Sequence, residues 1–137
     1  QPHDQLIMLD RYAYDLPFYL RAQRPAWVVS DWDDPRITQI DNWRKELYDA
    51  GLFTPEAMQR NLIDNTTLLQ RLCSPEPYGL WIWGPKDSSV HHTWLKSLDP
   101  AFSTSGHVLW HITPQQWVAL KDVSACHEKP NNDPVQK

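Results

Sequence analysis

Glycine is scarce in this chain. There are four glycines in 137 residues, and none falls into GxGxxG or GxxxxGKS/T spacing. The tight turns that bring backbone N–H groups against a pyrophosphate or triphosphate are missing, which disfavours dinucleotide and nucleoside triphosphate binding. Cysteine is scarcer still. Cys73 and Cys126 show no CxxC or mixed Cys/His spacing of the kind zinc sites use, so they are either free thiols or one disulfide. Positive charge is also thin: the formal net charge is −4, and no segment clusters Lys and Arg, so the sequence offers no surface to track phosphates and nucleic acid is not an expected partner. The longest apolar runs, residues 26–29 and 80–83, fall far short of the ~20 residues that cross a bilayer. A GxSxG elbow is absent, and Ser88, Ser89, Ser103 and Ser105 sit in polar loops without a paired base in sequence. The start, Gln1-Pro2-His3-Asp4-Gln5, has neither an initiator Met nor a basic-then-apolar targeting pattern, and reads as an internal segment of a longer protein.

What is present is the composition of a folded domain. Apolar residues make up 41% and charged residues 22%, outside the range of disordered chains. Residues 1–125 read as a single soluble α/β domain and residues 126–137, rich in Asn, Pro and Asp, as a disordered tail. Eight tryptophans are unusual for this length. Packing in the core and at its margin accounts for them most simply, since Trp is often mostly but not wholly buried. The sharper reading is an aromatic platform for a sugar or a lipid–water interface.

Hydrophobic patterning alternates strands with helices. Residues 6–9 and 26–29 read as buried strands, with a short helix between them that Asp15 caps and Pro17 begins. A helix carrying Ile37, Ile40, Trp43 and Leu47 on one stripe ends at Gly51, and Thr54-Pro55-Glu56 starts another that runs to Leu72. Residues 80–83 form a third strand broken by Gly84-Pro85, and residues 90–98 a short helix. A fourth strand spans residues 107–112, and Thr113-Pro114 opens a last helix with Trp117 and Leu120. The simplest architecture is a small Rossmann-like three-layer sandwich with a mostly parallel sheet of about four strands.

Ligands of such sheets bind outside the carboxyl ends of the strands. Asp10 follows the first strand, and Asp31, Asp33 and Asp34 follow the second. The three acids after the second strand could meet Asp10 across a cleft, where clustered carboxylates hold a hard cation or raise one another's pKa. Asp31-Trp32-Asp33 also has the form of the DxD element with which nucleotide-sugar transferases hold a metal and a sugar diphosphate. Against it stands the simpler role of Asp33 or Asp34 as a helix cap ahead of Pro35. Asp10, Tyr12, Asp31 and Asp33 are the candidate substrate-binding residues. No catalytic or metal-ligating residue is assigned, and a divalent cation is the one cofactor the acidic group would admit. His91 and His92 diverge by ~100° on a helix and are expected to face solvent. His107 and His111 share a strand face ~13 Å apart, too far to share an ion. Asn65-Thr66-Thr67 matches a glycosylation acceptor but falls inside an expected helix, where chance explains it.

The run Asp10-Arg11-Tyr12-Ala13-Tyr14-Asp15-Leu16-Pro17-Phe18-Tyr19-Leu20 lies ahead of the strand at 25–29, and Asp41-Asn42-Trp43-Arg44 follows further on. It resembles the start of the soluble domain that follows the membrane helices in bacterial relatives of the dolichyl-phosphate-mannose-protein mannosyltransferases, a group that includes the aminoarabinose transferases acting on lipid A. The resemblance implies a polyprenyl-phosphate sugar donor and reaction carboxylates in loops among the membrane helices. It places the soluble domain on the periplasmic side of the bacterial inner membrane. No catalytic residue carries over to this sequence. The partners it implies are the membrane domain of the same parent chain and the polyprenyl-phosphate sugar or a glycan or lipid acceptor, and an oxidising periplasm would permit a Cys73–Cys126 disulfide. The expected function is therefore an accessory domain that recognises an acceptor or covers the active site. The alternatives are an independent metal-dependent enzyme using Asp10, Asp31 and Asp33, and a plain protein-binding module.

Overall fold

The computed structural model describes residues 4–10, 16, 20, 23–38, 44, 47 and 55–123. β1 (Gln5–Leu9) is buried along its whole length, as a strand covered on both faces must be. β2 (Trp27–Val29) pairs with it in parallel on one side, in the register Ile7↔Trp27 to Leu9↔Val29. β3 (Leu62–Ile63) adds in parallel outside β2. On the other side β4 (Leu80–Pro85) runs parallel to β1, with Gln5 opposite Leu80 and Met8 opposite Trp83. β6 (His107–Ile112) pairs antiparallel with β4, and β5 (Phe102–Ser103) antiparallel with β6. The sheet has six strands in the order β3-β2-β1-β4-β6-β5. Four α-helices accompany it among the described residues: α1 (Pro55–Asn61), α2 (Asn65–Leu72), α3 (Ser88–His91) and α4 (Pro114–Val123). The 3-10 turns Pro35–Thr38 and Thr93–Ser97 complete the set.

This is a small mixed α/β domain, and it corrects the four-strand expectation in three places. The helix expected to run unbroken to Leu72 is two helices, because Leu62 and Ile63 leave the helical path to extend the sheet beside β2. The strand expected to stop at Gly84-Pro85 continues through both, paired with Val108 and His107 of β6. Pro85 is tolerated because β1 has ended its pairing at Trp83, so no ladder on that side needs its N–H. Last, the strand at 107–112 is antiparallel. It joins β5 in a hairpin, and the four-residue α3 is too short to serve as the covering helix of a parallel crossover. The helices expected over 15–22 and 37–50 fall largely outside the described residues. Leu20 N–H donates to Leu16 O at 3.0 Å, and Arg44 and Leu47 are helical. The expected tail likewise lies outside them.

The main core cluster lies on one face of the sheet, while Leu6, Met8 and Val28 are buried on the other. Ile7, Leu9, Leu80, Ile82 and Ile112 meet Leu68 and Leu72 of α2 and Trp117 and Leu120 of α4. Each such side chain contributes roughly 1.5–3 kcal/mol by leaving water. Trp117 is fully buried, and its indole N–H donates to Leu72 O at 3.0 Å, satisfying a carbonyl that the end of α2 would leave orphaned. Trp94 and Trp110 are also buried, while Trp81 and Trp83 stand half-buried on the opposite face, stacked on His111 and His107 at 4.1 and 4.7 Å. Packing thus accounts for these tryptophans and for both strand histidines. Gly84 permits one close approach: a Cβ there would lie 2.6 Å from Ser88 Oγ and 3.0 Å from Leu9 Cβ.

At the amino edge of the parallel strands, buried Asp4 accepts the Gly79 N–H at 2.9 Å and faces His111 Nε2 at 3.1 Å. Burial pushes its carboxyl upward, but the Gly79 and His111 hydrogen bonds outweigh that and hold it below its ordinary value. Gln5 Nε2 donates to Pro25 O at 2.8 Å, tying the same edge to the entry of β2. These polar contacts tie the amino edge together around Asp4 and Gln5.

Candidate functional site

The segments that follow β1, β2, β3 and β4 converge on one cleft of about 480 Å³ at the carboxyl edge of the sheet. Its walls carry Asp10, Ser30, Asp31, Asp64, Thr66 and His92, joined by Val29, Asn65 and His91. Convergence of this kind follows from the topology, since parallel strands deliver their carboxyl ends to one side.

Each side chain is set by a local feature. Asp10 ends β1 with φ of 57°, and its N–H donates to Val29 O at 2.8 Å, so the chain turns sharply while still pinned to β2. A non-glycine residue in this left-handed region carries strain, which concentrates at binding and catalytic positions. Ser30 is buried, with its N–H on Ile63 O at 3.0 Å. Asp31 is exposed, its Oδ1 accepting the Asp33 N–H at 3.3 Å. Asp64 caps α2 by accepting the Thr67 N–H at 2.8 Å, and the Thr67 backbone and hydroxyl hold its carboxyl below the usual carboxylate range. His92 sits where helix gives way to the next 3-10 turn, with φ −121° and ψ 80°. Its ring is only 5% exposed, and Nε2 lies 3.8 Å from Asp10 Oδ2. Among the described residues no group hydrogen-bonds its Nδ1, which is closed to solvent.

Of the residues expected from sequence, Asp10 and Asp31 line this cleft together. Asp33 shares the Asp31 loop but is exposed and contributes nothing to the cleft wall. Tyr12 lies outside the described residues. Asp34 takes the capping role: Oδ1 accepts the Arg36 N–H at 3.0 Å, and its carboxylate pairs with the Arg36 and Arg44 guanidiniums, which hold it far below the usual range. The solvent-facing histidine pair is corrected. His91 is exposed, but the break after α3 turns His92 inward. Sequence reading also missed Ser30, Asp64, Asn65 and Thr66. The signal for the last three was the cap pattern Asp64-Asn65-Thr66-Thr67, hidden by reading one continuous helix across it.

Chemically the cleft is acidic. Among the described residues its wall carries three carboxylates and no Lys or Arg, so those residues accept hydrogen bonds and disfavour phosphate and carboxylate groups. Among the described residues no group of three His, Cys, Asp or Glu side chains is placed to hold a metal ion. A second concavity, of about 370 Å³ beside Trp27, Arg71, Tyr78 and Trp117, differs in kind. There the Arg71 guanidinium already covers the Trp27 ring at 4.8 Å and Arg24 covers Tyr78 at 4.1 Å.

Fold and site together define a small α/β domain with an acidic cleft at the carboxyl edge of its parallel strands. Comparison with protein-family models, with curated proteins and with solved structures finds no match to this chain.

Proposed function

We propose that this chain is the soluble extracytoplasmic domain of a polytopic membrane glycosyltransferase that uses a polyprenyl-phosphate sugar donor, and that its carboxyl-edge cleft helps to recognise the acceptor. The observation that carries the binding role is the cleft itself, where four successive strands deliver polar side chains without a metal-binding set among the described residues. The resemblance across residues 10–20 supports the parent class, and the strands on either side of that run are neighbours in the sheet. Cys73 is disulfide-bonded, which supports an oxidising compartment such as the periplasmic side of the inner membrane. Cys126, the other cysteine, lies outside the described residues. The order β3-β2-β1-β4 supports reading the parallel half as Rossmann-like layering.

In this reading the reaction belongs to the membrane part of the parent chain, and no residue named here performs it. The reading frame upstream of Gln1 is the direct test. A polytopic helical region there is the expected result, and an upstream frame without one removes the proposal. The metal-dependent alternative draws on Asp10 and Asp31 sharing a cleft, but Asp33, the third carboxylate it needs, stands outside.

A further inference from the structure

The second concavity, beside Trp27, Arg71 and Tyr78, holds a guanidinium that the protein uses only in part. Arg71 lies half-buried in the last turn of α2, where a helix C-terminus favours a cation. Its Nη1 donates to Arg60 O at 2.7 Å, and the guanidinium covers the Trp27 ring at 4.8 Å. These two contacts fix the group in place. Among the described residues no carboxylate pairs with it, and its Nε and Nη2 make no hydrogen bond yet remain open to solvent. Burial holds the guanidinium below its ordinary value, offset only in part by the Tyr78 phenol.

Nε and Nη2 are the two groups with which Arg36 grips the Asp34 carboxylate, at 3.1 and 2.9 Å. A guanidinium edge held ready with both of them open matches the two oxygens of a carboxylate. The Tyr78 phenol is a second donor. Arg71 and Glu76 both act electrostatically on it, which brings the three groups to one part of the concavity. Gln70 and Ser74, exposed on the same wall, add neutral donors. Glu76 limits the charge the site can take, since a dianion such as a phosphate monoester meets its carboxylate with more repulsion than a monoanion does. The half-exposed Trp27 and Tyr78 rings offer apolar surface to a flat body, and about 370 Å³ falls in the range of small-molecule sites. Arg24 already covers Tyr78 and is not needed for this pairing.

We propose that this concavity binds a small organic monocarboxylate with an aromatic body, its carboxylate gripped by Arg71 Nε and Nη2 and the Tyr78 hydroxyl, its ring against Trp27. The site shares no lining residue with the carboxyl-edge cleft and does not rest on the acceptor-recognition reading. Either reading can fail without the other.

The test is a titration of the isotopically labelled full chain, followed by its backbone amide, arginine Nε–H and indole NMR signals. Phenylacetate is the probe. The controls are phenylacetamide as the neutral isostere, acetate as the carboxylate without a ring and phenyl phosphate as the dianion. The expected result is saturable shifts at Gln70, Arg71, Ser74, Tyr78 and the Trp27 indole with phenylacetate, and weaker or no binding of the three controls. Arg71→Lys, which keeps the charge but loses the fork, should weaken phenylacetate by about tenfold, as expected for loss of a charge-assisted hydrogen bond. Lys86→Gln, at an exposed position outside the concavity, should leave it unchanged. No shift at the concavity with phenylacetate would overturn the proposal. So would any control bound as tightly as phenylacetate, or equal effects of Arg71→Lys and Lys86→Gln.

Discussion

Replacing Asp10 by glycine should leave the fold at least as stable as it is, even though it removes a charged group from the cleft. Asp10 holds φ at 57°, where a side chain crowds the backbone at a cost of about 1–2 kcal/mol, the low end applying to Asp. Glycine removes that cost but has more freedom to lose on folding, worth about 0.5–1 kcal/mol. The pairing of its carboxylate with His92 Nε2 contributes little, because 3.8 Å is beyond hydrogen-bond reach and the side chain is 49% exposed. The net is about 0–0.5 kcal/mol in favour of glycine, or at most roughly 2 °C in Tm for a domain of this size. Thermal melts of wild type, Asp10→Gly and Asp10→Asn measure it. Asn tolerates the left-handed region and should melt within about 1 °C of wild type. If Asp10→Gly melts lower than wild type, the strain assigned to this turn is wrong, and with it the idea that the carboxylate is held there at a cost in stability.

Three further outcomes follow from the packing. Asp4→Asn should cost about 1–3 kcal/mol by urea denaturation at neutral pH, since Asp4 is buried against Gly79 N–H and His111. Its folded-state pKa is depressed, so its contribution is present above the ordinary value of 3.8 and lost as pH falls through the folded value. The gap between wild type and Asp4→Asn should narrow in that acid window, and a gap that widens there would contradict the assignment. Trp117→Ala should cost about 3–5 kcal/mol in the same assay, because it empties a fully buried site and strips the Leu72 carbonyl of its partner; a loss below about 1 kcal/mol would show that the core does not centre on this ring. Reducing the disulfide at Cys73 should lower stability by about 2–4 kcal/mol, read as the difference between melts with and without reductant.

Much of the sheet could be read from the sequence, because four of its strands are apolar runs bounded by Pro, Gly or Asp. Strand direction was harder. Val108, Trp110 and Ile112 are buried while His107, Leu109 and His111 are half-exposed, an alternation typical of antiparallel strands, yet the surrounding β-α pattern suggested a parallel one. β3 escaped because its two residues fit the helical spacing of Met58, Leu62 and Leu69, and pairing with β2 overrides local propensity there. At the site, Asp10 and Asp31 were legible from the rule that ligands meet parallel sheets at their carboxyl ends. His92 was not. Its inward turn depends on a break between α3 and the following 3-10 turn, which the apolar spacing of Val90, Trp94 and Leu98 concealed.

The cleft's role in acceptor recognition is tested most directly by the acceptor KM of the membrane-embedded parent enzyme carrying Asp31→Ala, measured beside Asp33→Ala. The account predicts that Asp31→Ala raises the acceptor KM several-fold with kcat retained, while Asp33→Ala matches wild type. Identical kinetics for both variants and wild type would contradict it.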